Sequence, residues 1–190
     1  MKNEKSKFEC LLVAIALVVI AGMLVNIGNA TIVLAGFKNR LHMDLCLLIY
    51  APLAFVAVPL LISRALGFKM MALNFGYKSA GALALLLGLL SWTLDCEQEI
   101  VHNLAIATCE ELLFRWIILS VLISKFSKNR AIILGTLLFA FLLHLNGDPI
   151  ANIAKVPAGL VLYYLNEKFG IQASIAFHCL HNLLVGEFLS

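Results

Sequence analysis

Charged side chains are scarce in this sequence: they make up 13% of its 190 residues, whereas hydrophobic residues make up 62%. A soluble globule of this size needs more polar surface than so few charges can supply. The scarcity therefore excludes an ordinary soluble enzyme and predicts a polytopic membrane protein. The net charge of +3 requires no nucleic-acid partner, because basic loops that face anionic lipid account for it.

Paired cysteines, repeats and the common zinc-protease motif are absent as well. The five cysteines are scattered without a CxxC pair, which is typical of packing residues in a membrane core and not of a disulfide framework or a thiolate metal site. They are Cys10, Cys46, Cys96, Cys109 and Cys179. No HExxH sequence, internal repeat or low-complexity tract occurs, so we treat residues 1–190 as a single integral membrane domain.

What the chain does contain is a series of long apolar runs, each near the ~20 residues that a helix needs to cross a bilayer. They cover residues 8–26, 44–63, 80–96, 101–124, 131–147, 149–166 and 170–189. The runs are continuous and rich in Leu, Ala and Ile, whereas membrane strands alternate apolar and polar residues. The sequence therefore predicts an all-α transmembrane bundle of about seven helices, within a range of six to eight, in which residues 27–36 can lengthen the first helix.

Lysine and arginine are distributed unequally between the two sets of loops that alternating helices would produce. One set contains Lys2, Lys5, Lys7, Arg64, Lys69, Lys78, Lys125, Lys128, Arg130 and Lys168, and the other contains Lys38 and Arg40. By the positive-inside rule, we expect a cytoplasmic N-terminus. The first apolar run is longer than a signal-peptide core, so we expect a retained helix. The short chain without a soluble domain suggests a bacterial or archaeal cytoplasmic membrane.

Three ionisable residues, Glu110, Glu111 and Arg115, lie in the middle of the apolar run 101–124. A charge at the centre of a membrane helix costs about 2.5 to 3.5 kcal/mol on insertion scales, so such residues usually face a polar interior. Glu111 and Arg115 are four residues apart and can form an ion pair on one helix face, which leaves Glu110 to face elsewhere. Considered alone, such a pair can also be purely structural.

Polar residues of two other predicted helices are expected at a similar depth. Counted at ~1.5 Å per residue from the cytoplasmic end of each helix, Glu110 lies ~21 Å deep and His144 ~20 Å deep. Asn182 lies ~18 Å deep and His178 ~12 Å deep on the same count. His178 and Asn182 share a helix face, whereas we expect His181 to lie about 100° away from His178 and to serve packing. A lone intramembrane histidine usually serves helix packing, so it is the combination that indicates function.

The pattern resembles the type II CAAX prenyl endopeptidase and bacteriocin-processing family of intramembrane proteases, the CPBP family. The shared features are an EExxxR motif at Glu110, Glu111 and Arg115, a histidine at the end of the next helix at His144, and an HxxxN motif at His178 and Asn182. In the family's second motif, commonly FxxxH, this chain has Ala140 in place of phenylalanine. The resemblance covers residues 80–189, which would form the catalytic core, and leaves the N-terminal helices of residues 1–79 without an assigned role.

The resemblance implies an intramembrane endopeptidase that hydrolyses a peptide bond of a membrane-associated or lipidated peptide or protein, without a cofactor. Its partners would be that substrate and the lipid bilayer. Glu110 would act as the general base, and His144 would help to position or deprotonate the attacking water. His178 and Asn182 would stabilise the oxyanion. The remaining motif residues, Glu111 and Arg115, would fix the helix and the orientation of the base.

Three alternatives stay open. A zinc-dependent intramembrane metalloprotease could use Glu110, His144 and His178 as ligands and keep a fourth position open. A cysteine protease could use Cys109 or Cys179, although each thiol is expected on a different helix face from its neighbouring motif residue. A non-enzymatic bacteriocin self-immunity protein or a transporter-like scaffold could also contain such charges, but the chain lacks the matched broken helices that favour transport.

Overall fold

The computed structural model describes residues 5–36, 39–94, 97–143 and 149–189. Within these ranges the chain forms seven helices and no strand, which confirms the predicted all-α bundle. The first three are α1 (Lys7–Leu34), α2 (Arg40–Pro52, continued by Leu53–Ala57 and Val58–Ala65) and α3 (Tyr77–Leu94). Helix α4 comprises Glu97–Glu111, Leu112–Ile118 and Leu119–Ile123, and α5 comprises Lys128–Leu137 and Leu138–Leu143. The last two are α6 (Pro149–Phe169) and α7 (Ile171–Leu189).

Helix α1 extends beyond the apolar run 8–26, because residues 27–34 continue it. Its start is fixed by a capping box. The Ser6 side chain accepts a hydrogen bond from the backbone N–H of Glu9, and the Glu9 carboxylate accepts one from the backbone N–H of Ser6. Such a cap contributes about 1 kcal/mol and defines where the helix begins.

The main apolar core lies between α1, α2, α4, α5 and α6. Its most buried side chains come from α1 and α4: Leu17, Val18, Leu113, Phe114 and Ile117. A second, smaller cluster joins α3, α4 and α7. Helix α4 contributes to both clusters, so the side chains along it are held from two sides.

Three of the described helices contain a π-helical stretch: Leu53–Ala57 in α2, Leu112–Ile118 in α4 and Leu138–Leu143 in α5. A π turn contains one residue more than the hydrogen-bonded turn of an α-helix, and such bulges are frequent at functional sites. The stretch in α4 begins directly after Glu111. The irregular part of α4 therefore starts at the two adjacent glutamates that the sequence singles out.

Several connections and helix ends meet at one end of the bundle. The Lys5 ammonium donates a hydrogen bond to the Leu66 carbonyl oxygen and lies 3.9 Å from the centre of the Phe68 ring. The Cys10 sulfur lies 3.4 Å from the Ser124 hydroxyl, which brings the turn after α4 to the start of α1. An ion pair between exposed side chains joins the start of α5 to the end of α6. The start of α1 and the connections after α2 and α4 thus lie together, as alternating helices require.

Among the described residues, two helices are long and apolar enough to cross a membrane, Lys7–Leu34 and His42–Ala65. Large apolar side chains are also exposed elsewhere on the bundle, for example Ile150 at 78%. Extensive exposed apolar surface is typical of a protein that contacts lipid. That all seven helices span the bilayer remains a prediction.

Candidate active site

Side chains from α4 and α7 form a buried chain of charged contacts. The Arg115 Nε atom lies 3.1 Å from Glu111 Oε2, and Glu111 Oε1 lies 2.9 Å from His178 Nδ1. None of the three side chains is more than 5% exposed. The spacing of four residues brings Arg115 and Glu111 to one face of α4. With the Nδ1–H of His178 donated to Glu111, the other ring nitrogen faces away from this ion pair.

That second nitrogen faces the other glutamate of the motif. His178 Nε2 lies 3.6 Å from Glu110 Oε2, and Glu110 is only 6% exposed. This separation is too long for a direct hydrogen bond but short enough for strong electrostatic coupling in a buried site. Adjacent residues of α4 therefore face the same imidazole from opposite sides. The Glu110 carboxylate points into the bundle and not toward lipid.

Aromatic rings enclose the buried Arg115 guanidinium. Its central carbon lies 4.6 Å from the centre of the Tyr163 ring and 5.0 Å from that of Phe139. Cation–π contacts of this kind stabilise a desolvated cation. In the part of the chain that the structure describes, the two terminal nitrogens have no hydrogen-bond partner. The Glu111 carboxylate and the two rings therefore compensate the buried charge there. Phe139 also packs edge-on against the His178 ring at 5.7 Å.

Tyr163 of α6 also fixes the π-helical stretch of α4. Its hydroxyl donates a hydrogen bond to the Phe114 carbonyl oxygen at 3.0 Å. Space for this hydroxyl depends on Gly135 of α5, because a Cβ atom at that position would overlap the Tyr163 oxygen. Helices α4, α5 and α6 are thereby joined at the level of Arg115.

A small cavity of about 40 Å³ lies beside His178, between α6 and α7. Its lining includes Lys155, Ala158 and Leu162 from α6, and His178, His181 and Asn182 from α7. The imidazoles, the amide and the ammonium can all donate hydrogen bonds. The cavity can therefore accept a small group that carries hydrogen-bond acceptors.

The structure brings together most of the residues expected from the sequence. The four that contact one another are Glu110, Glu111, Arg115 and His178. Asn182 lines the adjoining cavity. His144 lies outside the described residues, so its position relative to Glu110 remains a prediction.

The expectation that His181 points away from His178 is wrong, since both line the same cavity. Three residues rotate a helix by ~300°, which leaves their side chains only ~60° apart. Lys155 belongs to neither motif, although a charge inside the apolar run 149–166 is itself a signal of a functional position. Tyr163 gave no such signal, because it is one of several aromatic residues in an apolar segment.

Metal ligation and thiol chemistry are the two alternatives that bear on this site. No group of three His, Cys, Asp or Glu side chains arranged to bind a metal ion occurs in the described ranges. These ranges exclude His144, so the zinc ligand set of Glu110, His144 and His178 remains untested. Cys109 and Cys179 are buried in the two apolar clusters, the position expected of packing residues.

A comparison with known protein families matches residues 98–184 to the family described as Type II CAAX prenyl endopeptidase Rce1-like. The matched segment contains both the EExxxR motif of α4 and the HxxxN motif of α7. Comparisons with curated proteins and with solved structures gave no match. Residues 98–184 thus form a domain of the Rce1-like type II CAAX prenyl endopeptidase family, a family of membrane-embedded peptidases.

Proposed function

We propose that the protein is an intramembrane endopeptidase in which Glu110 activates the water that attacks the peptide bond. The proposal depends on one observation: two adjacent glutamates face one imidazole, with Glu111 2.9 Å from His178 Nδ1 and Glu110 3.6 Å from Nε2. A buried carboxylate beside an oriented imidazole supplies the groups that general acid–base catalysis needs. Membership of the CAAX endopeptidase family supports a peptidase.

His178, as an imidazolium that carries a proton on both ring nitrogens, serves as the hydrogen-bond donor that stabilises the developing oxyanion. Glu111 accepts the Nδ1–H and fixes the ring, and Arg115 balances the charge of Glu111. The Nε2 atom then faces the reacting groups beside Glu110. Asn182, one turn further along α7, supplies a second donor from the same cavity. Loss of one such preorganised donor typically reduces kcat by about 10²- to 10³-fold.

We assign His144 to positioning the attacking water, on the basis of the sequence motif alone. The mechanism then needs no metal, because the base, the donors and the counter-charges are all side chains. The zinc-dependent alternative would use Glu110, His144 and His178 as ligands. Activity that survives chelation in protein with far less than one zinc per chain would support the glutamate mechanism. Stoichiometric zinc that is needed for activity would overturn it.

The proposed substrate is a membrane-associated or lipidated peptide or protein that ends in a CAAX-type sequence, as the family name indicates. Several of the basic segments lie at one end of the bundle, which supports a cytoplasmic N-terminus under the positive-inside rule. We infer an integral multi-pass protein of a bacterial or archaeal cytoplasmic membrane.

The decisive experiment measures hydrolysis by purified protein in liposomes. The probe is an internally quenched peptide that ends in a CAAX sequence, made with and without a prenyl group on its cysteine. The parent should cleave at least one form, and Glu110→Gln should reduce kcat by about 10²-fold or more, as loss of a general base does.

The matched control is Glu167→Gln, the same chemical change on a 55% exposed side chain. This variant should retain parental activity. Elution as a single folded species in detergent should be the same for all three proteins. A Glu110→Gln protein that cleaves as fast as the parent would refute the proposed mechanism.

A further inference from the structure

Tyr163 of α6 belongs to neither sequence motif, yet it contacts two different parts of the site. Its side chain is buried, with only 2% of its surface exposed. Its hydroxyl donates a hydrogen bond to the Phe114 carbonyl oxygen at 3.0 Å, and its ring centre lies 4.6 Å from the central guanidinium carbon of Arg115. One side chain therefore holds both the backbone of the π-helical stretch of α4 and the cation of the buried ion pair.

The Phe114 carbonyl lies where the backbone of α4 departs from a regular helix. In an α-helix this oxygen would accept a hydrogen bond from the N–H group four positions later. Here the N–H of Leu119, five positions later, donates to it, as a π turn requires. A carbonyl oxygen has two lone pairs, and the Tyr163 hydroxyl supplies a further hydrogen bond. The hydroxyl should therefore stabilise the π form of this turn relative to the α form.

The form of this turn matters for the residues that orient the imidazole. A π turn contains one residue more than an α turn, so a change to α geometry would rotate the following residues about the helix axis. Arg115 lies inside the stretch, whereas Glu111 directly precedes it. The 3.1 Å contact between them therefore spans the boundary, and Glu111 in turn lies 2.9 Å from His178 Nδ1. A displaced guanidinium would thus move the carboxylate that fixes the imidazole.

We propose that Tyr163 is a positioning residue for the hydrolysis reaction. Through Arg115 and Glu111, it fixes the orientation of the His178 ring. The Nε2 atom of that ring then faces the reacting groups beside Glu110. Tyr163 acts through these side chains and is not itself a catalytic residue. Its effect on hydrolysis rests on the proposed function, whereas its effect on the orientation of His178 does not.

The first test is Tyr163→Phe, which keeps the ring against the guanidinium and removes only the hydroxyl. We expect kcat for the quenched CAAX peptide to fall by about tenfold to a hundredfold, because small displacements in an active site have effects of this size. KM should stay unchanged, because no contact with substrate is lost.

The matched control is Ser6→Ala, which also removes one hydrogen bond, in the capping box at the start of α1. The loss of one hydrogen bond should lower Tm by about 2 to 4 °C in each variant. Only Tyr163→Phe should lower kcat. The comparison therefore separates a role in positioning from a general loss of stability.

The second test observes His178 directly and needs no activity. Protein that carries isotope-labelled histidine is compared by NMR in detergent micelles, and the ring signals of His178 are assigned by their loss in His178→Gln. Tyr163→Phe should shift or broaden these signals, because the ring is no longer held in one orientation. Ser6→Ala should leave them as they are in the parent.

Shifted or broadened His178 signals in Tyr163→Phe support the inference, even if the parent cleaves no peptide. Signals equal to those of the parent overturn it. An active parent whose kcat is unchanged by Tyr163→Phe, or is lowered as much by Ser6→Ala, overturns it as well. Failure of the parent to cleave contradicts the proposed function alone. Should Tyr163→Phe fail to fold, Gly135→Ala takes its place in both tests, because the added Cβ would displace the Tyr163 hydroxyl.

Discussion

The buried ion pair between Glu111 and Arg115 predicts that removing the charge of Glu111 destabilises the protein more than removing the charge of an exposed glutamate. Glu111→Gln preserves the shape of the side chain but removes the charge that lies 3.1 Å from Arg115 Nε. Arg115 is 1% exposed and has no other carboxylate partner within the described residues. Its cation would then be buried without a counter-charge.

The expected loss follows from the burial of this pair. Removing one partner of a buried ion pair costs about 3 to 5 kcal/mol, whereas replacing both partners by apolar groups is often neutral. Glu111→Gln should therefore lower the free energy of unfolding by about 3 to 5 kcal/mol. Adding Arg115→Met should recover most of that loss, because no unpaired charge then remains. The exposed pair at Glu167 sets the contrast, since Glu167→Gln should cost less than about 1 kcal/mol.

The assay is denaturant unfolding in detergent micelles, followed by tryptophan fluorescence for the parent, both single variants and the double variant. A double-mutant cycle then isolates the coupling between Glu111 and Arg115. Stability of Glu111→Gln within about 1 kcal/mol of the parent would contradict the reasoning, because that is the range expected of an exposed pair. A double variant no more stable than the single one would contradict it as well.

The remaining predictions concern two glycines, which differ in the space around them, and two buried cysteines. Gly135→Ala should displace Tyr163 and destabilise the protein by about 1 to 3 kcal/mol, the usual cost of overpacking. Gly81→Ala, at a helical position with open space, should instead stabilise it by about 0.5 to 1 kcal/mol, and thermal unfolding in detergent compares the two. Replacing both Cys109 and Cys179 with alanine should leave peptide hydrolysis within about threefold of the parent. We expect this because both thiols are buried in apolar clusters. A loss of hydrolysis as large as that of Glu110→Gln would instead favour the cysteine-protease alternative.

The helical architecture could be predicted from the sequence because long, continuous apolar runs are typical of membrane helices. The pair of Glu111 and Arg115 could be predicted too, since a spacing of four residues brings two side chains to one face of a helix. The mutual approach of α4 and α7 was expected only as a shared depth. The contact of His178 with both glutamates goes beyond that expectation, because depth along a helix says nothing of its rotation about its axis.

The features missed at the sequence level have identifiable causes. The π-helical stretch at Leu112–Ile118 depends on tertiary contacts such as the Tyr163 hydroxyl on the Phe114 carbonyl, and residue composition does not encode it. The expectation for His181 is wrong because three residues nearly complete a helical turn, which brings its side chain back toward the face of His178. Lys155 lies between motifs, so only a survey of every charge in the apolar runs would have found it.

The packing of α1 against α4 has a practical consequence. Leu17 and Val18 are buried in the same core as Leu113 and Phe114, although only the latter two lie inside the family-matched segment 98–184. A fragment trimmed to that segment would uncover the apolar core that α1 shares with α4. We therefore expect the first helix to be indispensable for the fold, and any truncated protein made for biochemistry should retain it.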